Sequence, residues 1–140
     1  MTKEKNNKRT WLLILLAVYL VVLLRITVFR SRSYPIEMSV NLSLFTDLIA
    51  TYRENGLLMV IYLVVGNIVW FVPFGFFLPA IWQKLKSYHT IPLGFCLSLI
   101  IEISQLLTGK GMFEIDDLVL NTLGTAAGYL IYKIYRDFRK

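Results

Sequence analysis

From Trp11 to Phe29 the chain is almost continuously apolar, long enough as a helix to cross the hydrocarbon core of a bilayer. Three further stretches share this character. One runs from about Leu57 to Trp82, interrupted by Asn67, Pro73, Gly75 and Pro79. Another, Ile91 to Leu107, contains Glu102 and Gln105, and the last, Asp117 to Tyr135, is rich in small residues and ends among Lys133, Arg136 and Lys140. A span needs about 17–25 residues, so the first two stretches fit unaided, while the shorter third and fourth need neighbours for their polar groups. The pattern predicts an all-α, multi-pass transmembrane helical bundle, a single domain over residues 1–140. Its four expected spans are 11–29, 57–82, 91–107 and 117–135. Composition closes the alternatives: the chain is 56% hydrophobic and 17% charged, with mean hydropathy +0.60. Soluble domains average about 45–50% apolar and about 25% charged. One soluble domain of 140 residues could not hide this much apolar surface, and a disordered chain would not carry it.

Charge sets the expected orientation. Lys and Arg number 15 against 9 acids, a net charge of +6. With four spans, the side holding the N-terminus carries Lys3, Lys5, Lys8, Arg9, Lys84, Lys86, Lys133, Arg136, Arg139 and Lys140. The opposite loops carry Arg30, Arg32, Arg53 and Lys110. Ten against four places both termini in the cytoplasm. Because these charges sit at the termini and in loops rather than on one amphipathic face, the expected partner is membrane lipid and not nucleic acid. The first apolar run lacks a small-residue cleavage site and reads as an uncleaved anchor. Cys96 is the only cysteine and His89 the only histidine, so neither a disulfide framework nor a His/Cys zinc site is expected, and no cofactor is called for. Both read as bystanders.

The loop from Ser31 to Gly56 carries its own signal. Leu44, Phe45, Leu48, Ile49 and Tyr52 recur at helical spacing, which predicts a short amphipathic outer-loop helix. The polar residues within the spans matter more, because a charge at mid-bilayer costs about 2.5–3.5 kcal/mol on insertion scales. Gly94, Ser98, Glu102 and Gln105 form one stripe of the third span. Asp117, Asn121, Gly124 and Gly128 form one face of the fourth, where Gly124 and Gly128 make a GxxxG pair for close helix approach. Asp116 or Asp117 would cap that helix, with Asp116 solvated. Asn67 faces inward from the second span, and Arg25 stands in the outer part of the first. Arg25, Asn67, Glu102, Gln105, Glu114, Asp117 and Asn121 therefore fall between mid-bilayer and the outer rim, which predicts a polar cavity opening outward with basic residues at its mouth. Simple roles compete with this: the amides can be interhelical hydrogen-bond glue, and Arg25 a snorkelling anchor. Glu102 resists a simple role, since a carboxyl at that depth needs Arg25, water or a proton.

Several of these residues form motifs. Gly66-Asn67-Ile68, Phe71-Val72-Pro73-Phe74-Gly75, Glu102-Ile103-Ser104-Gln105, Phe113-Glu114-Ile115-Asp116-Asp117-Leu118 and Asn121-Thr122-Leu123-Gly124 follow one another in an order that resembles the VanZ-like family. Asn41-Leu42-Ser43-Leu44-Phe45 is similar to that family's Asn-Leu-x-Pro-Phe element, with Leu44 in place of proline. Glu114 replaces the usual Asp, and Lys110 stands near where the family carries Arg. The resemblance, from about Arg30 to Tyr132, implies a small multi-pass protein of the bacterial plasma membrane linked to resistance against teicoplanin-type glycopeptides.

Two functions fit these residues. In the first, a non-enzymatic envelope protein binds a lipid headgroup, a lipid-linked cell-wall precursor or a lipid-anchored glycopeptide in its outward cavity. The lack of a nucleophile–base pair, metal set or phosphate loop favours it. In the second, an intramembrane hydrolase or transferase uses Glu102 as general acid or base with Asp117 as its charged partner or a metal ligand. A proton-coupled transporter is a weaker third reading, since four spans are few for a full pathway.

Overall fold

The computed structural model describes residues 2–28, 39–109 and 111–139. Five helices account for most of them: α1 (Thr2–Thr27), α2 (Thr46–Asn55), α3 (Leu57–Ile81), α4 (Ser87–Leu107) and α5 (Ile115–Phe138). Two two-residue strands, β1 (Val40–Asn41) and β2 (Phe113–Glu114), pair in parallel, Val40 opposite Phe113 and Asn41 opposite Glu114. The all-helical expectation is met apart from this pair, which no periodicity in such short segments announces. Arg30, Arg32, Lys110 and Lys140 lie outside the described residues.

Three helical segments are long and apolar enough to cross a membrane: Asn6–Thr27, Leu57–Ile81 and Ser87–Leu107. Their apolar side chains are largely uncovered by protein, as with Val18, Val21, Leu58, Ile61 and Ile100. A helix apolar on all sides and uncovered belongs in lipid, so the chain is a membrane protein. The third segment starts four residues earlier than expected. Pro92 sits inside α4, and the first turn is closed by His89, whose Nδ1 accepts the Lys86 backbone N–H at 3.4 Å. His89 therefore has a structural part rather than none. α5 is 24 residues long but is not among the segments apolar enough to cross by composition, because Asp116, Asp117, Asn121, Lys133 and Arg136 dilute it.

The helices are held by close approach rather than by bulk. α3 and α5 make the most extensive contact. A Cβ added at Gly124 or Gly128 of α5 would run into the backbone carbonyls of Ile68 or Val72, one turn apart on α3, and one at Gly75 would meet the Thr125 backbone. The GxxxG pair thus packs on α3, where only glycine lets two backbones come so near. Gly94 of α4 receives the Thr125 side chain in the same way. α1 lies against α3 and α4 through two small clusters: Leu16 with Phe74, Leu78 and Ile81, and Leu23 with Val28, Phe71 and Ile101. The Tyr19 hydroxyl donates to the Trp70 carbonyl at 2.7 Å, three residues before Pro73, whose ring removes one helical donor.

Candidate functional site

The long helices alternate in direction, so the last turn of α1, the first half of α3, the last half of α4 and the first turn of α5 share one end of the molecule. Between them is a cleft of about 900 Å³. Arg25, Asn67, Glu102, Gln105, Glu114, Asp117 and Asn121, the seven residues singled out from sequence, all line it.

Glu102 is 1% exposed, and its Oε2 accepts the backbone N–H of Glu114 at 3.0 Å. It therefore has a backbone donor rather than the Arg25 partner considered above. That bond reaches directly into β2, so the carboxylate helps to fix the strand that precedes α5. Asn121, 4% exposed, donates from Nδ2 to Ser98 Oγ at 2.9 Å, joining α5 to α4 one turn from Glu102. Asn67 donates to Asp117 Oδ1 at 2.5 Å, joining α3 to α5, and Gln105 donates to the Thr27 carbonyl at 3.2 Å, joining α4 to α1. Each amide is thus an interhelical tie as well as a lining group. Arg25 is exposed on the last turn of α1 and forms no ion pair among the described residues.

The cap assigned to Asp116 or Asp117 is not formed. Glu114 occupies the cap position but its side chain does not cap the helix, and the two aspartates stand in the first turn with their carboxylates turned to other elements. Asp116 is 6% exposed rather than solvated, because both its oxygens accept the Phe45 backbone N–H, at 2.9 and 3.0 Å. This bond completes a clasp between two segments far apart in sequence. Phe113 N–H donates to the Ser39 carbonyl at 3.1 Å, Asn41 Oδ1 takes the Ser43 N–H at 2.9 Å in an Asx turn, and Asn41 Nδ2 donates to Asp47. Phe45 enters α2 with φ 61°, a left-handed conformation that costs a non-glycine residue about 1–2 kcal/mol. A carboxylate on its N–H is a charge-assisted bond, strong enough to help hold that conformation.

Helix α2 covers the cleft from one side: Asp47, Leu48 and Thr51 line it, while Ile49 and Tyr52 point away and are exposed. Sequence reading missed Asp47 and Asp116 as lining groups, since their partners lie across the fold and leave no local periodicity. Among the described residues Asp47, Glu102, Glu114, Asp116 and Asp117 line the cleft against the single cation Arg25. Arg53 does not line it, and Arg30, Arg32 and Lys110 lie outside the described residues. Such a lining suits a ligand rich in hydrogen-bond donors. Among the described residues no three His, Cys, Asp or Glu side chains are grouped as ligands of one metal ion.

A family model described as VanZ/LLP1 matches residues 11–136, which include every residue named above for the cleft. Protein VanZ of Enterococcus faecium is 30% identical over 128 residues, spanning 86% of this chain and 71% of that protein. No solved structure matches the chain.

Proposed function

The chain belongs to the VanZ/LLP1 family, and from that premise we propose that it is a four-span protein of the bacterial plasma membrane acting in resistance to teicoplanin-type glycopeptides. Both termini lie in the cytoplasm and the cleft opens on the outer face. It binds the polar part of a lipid-anchored molecule, a lipid headgroup or a lipid-linked cell-wall precursor, without chemical turnover. The fourth crossing is α5. A 24-residue helix rises about 36 Å, enough for the hydrocarbon core. Its polar residues Asp117 and Asn121 bond to α3 and α4 rather than facing lipid. α2 then rests at the outer interface with Ile49 and Tyr52 toward the lipid.

One observation carries the reading: side chains from α1, α3, α4 and α5, each expensive to place in a membrane, border the same cleft of about 900 Å³. Hydrogen-bond glue alone would be served by pairs scattered along the bundle. A cleft of this volume, walled by apolar side chains such as Phe71, Trp70 and Ile101 with a few convergent polar groups, has the build of a small-molecule site. The acid-rich lining favours ligands that present amide, hydroxyl or ammonium donors.

The test is a strain lacking the protein, complemented with wild type, Glu102→Gln, Asp117→Asn or empty vector at matched membrane levels. Teicoplanin tolerance should return with wild type and fall in a graded way in both variants. Equal sensitivity of wild type and empty vector would remove the resistance function.

A further inference from the structure

A second cavity, of about 600 Å³, lies at the opposite end of the bundle, where α1 begins and α3 and α5 end. We infer that it is a binding groove for the phosphate headgroup of an anionic phospholipid. Its cations come from both ends of the sequence: Lys8 and Arg9 from α1, Arg136 and Arg139 from α5. Among the described residues no carboxylate lines it. Asp137, next along the helix, engages Arg136 at 3.0 Å, and among the described residues no acid pairs with Lys8, Arg9 or Arg139. Gathering like charges on one groove is unfavourable, and a bound anion relieves it.

The floor selects a lipid over a bare anion. Phe76 contacts the rings of Tyr132 and Tyr135, centroids 6.1 and 5.9 Å apart, and Leu12, Ala80 and Ile81 supply an apolar wall. The Arg139 guanidinium lies over the Tyr135 ring at 5.0 Å, which orients it beside the groove. Leu130, Ile131 and Ile134 on the exposed surface of α5 continue the apolar surface beyond the groove. A phosphodiester seated on the cations can lay its glycerol and acyl chains along that surface, whereas inorganic phosphate can use only the cations. Basic pockets between spans on the cytoplasmic side are suited to anionic headgroups, and that placement rests on the orientation proposed above. The usual role of basic residues at this end, orienting the chain, does not require convergence. Lys84, Lys86 and Lys133 serve it without lining the groove.

Those bystanders give the control. The full chain, purified in neutral detergent, is mixed with equal amounts of phosphatidylglycerol and phosphatidylcholine, and bound lipid is counted by native mass spectrometry. A parallel arm adds millimolar inorganic phosphate. Wild type should retain one phosphatidylglycerol with at least about tenfold preference over phosphatidylcholine. Arg9→Gln with Arg139→Gln should lose about tenfold, while the charge-matched Lys84→Gln with Lys86→Gln should stay within about twofold. Phosphate should not displace the lipid. Equal losses in the two double variants, displacement by phosphate, or no preference between the lipids would each overturn the inference. Because the assay needs neither glycopeptide nor cleft, its failure is separate from failure of the resistance function.

Discussion

Gly128 and Gly66 are both mid-helix glycines, yet the structure assigns opposite signs to their replacement by alanine. An alanine Cβ at Gly128 would lie 2.9 Å from the Val72 carbonyl carbon, 3.0 Å from Gly75 Cα and closer still to the Val72 oxygen. Ordinary contact begins at 3.4 Å and the Val72 oxygen is the nearest atom, so the α3–α5 seam must open by about 1 Å or more. A gap of that size forfeits about half of each dispersion contact along the seam. Wedging an extra carbon into a packed interface costs about 1–3 kcal/mol. Alanine returns about 0.8–1.0 kcal/mol of helix propensity, leaving Gly128→Ala less stable by up to about 2 kcal/mol. At Gly66 a Cβ meets nothing within 4 Å, so only propensity acts and Gly66→Ala should gain up to about 1 kcal/mol. Unfolding in mild detergent with a rising fraction of dodecyl sulfate, followed by far-ultraviolet circular dichroism, measures both variants against wild type. If Gly128→Ala unfolds at or above the midpoint of Gly66→Ala, the backbone-contact account of the seam is wrong.

Asp116→Ala removes the acceptor of the Phe45 N–H, and the loss of a charge-assisted bond predicts a destabilisation of about 1.5–3 kcal/mol. Hydrogen exchange at the Phe45 amide should accelerate in this variant; unchanged protection would show that the clasp does not depend on Asp116. Asn121→Leu leaves Ser98 without its donor and should cost about 1–3 kcal/mol, most of it recovered by adding Ser98→Ala. A double variant no more stable than the single in the same unfolding titration would contradict the pairing. Glu102→Gln keeps an oxygen for the Glu114 N–H, so its stability should stay within about 1 kcal/mol of wild type while teicoplanin tolerance falls. Parallel loss of folding and tolerance would reduce Glu102 to a structural role.

The parts of the fold that local physics determines were legible in the chain. Apolar length marked α1, α3 and α4, and the i, i+3, i+4 spacing of Ser98, Glu102 and Gln105, and of Asp117, Asn121 and Gly124, gathered polar groups onto inward faces. Those faces meet at one cleft because antiparallel neighbours align like depths. The GxxxG pair announced a close seam but not its partner, since many surfaces accept a glycine. Contacts between distant segments were silent. The parallel pairing of Val40–Asn41 with Phe113–Glu114, and the bond from Asp116 to Phe45, join residues 71 or more positions apart, and neither end shows a periodicity. Asp116 read as a helix cap for the same reason: at a helix start a carboxylate has a plausible local partner, and only the fold offered the better distant one. Asp47 lies off the helical stripe that the apolar residues of α2 trace, and only the fold shows it turned toward the cleft beside Leu48 and Thr51.

The strand pair also works as a depth gauge. Extended backbone cannot lie bare in hydrocarbon, so the clasp of residues 39–45 with 113–116 has to ride level with the headgroups or be roofed by protein. Glu102 is bonded to the N–H of Glu114 in that clasp. With the clasp at headgroup level, as the proposed orientation has it, that carboxylate sits one hydrogen bond below the waterline rather than at mid-bilayer, within reach of the headgroup ligand proposed above.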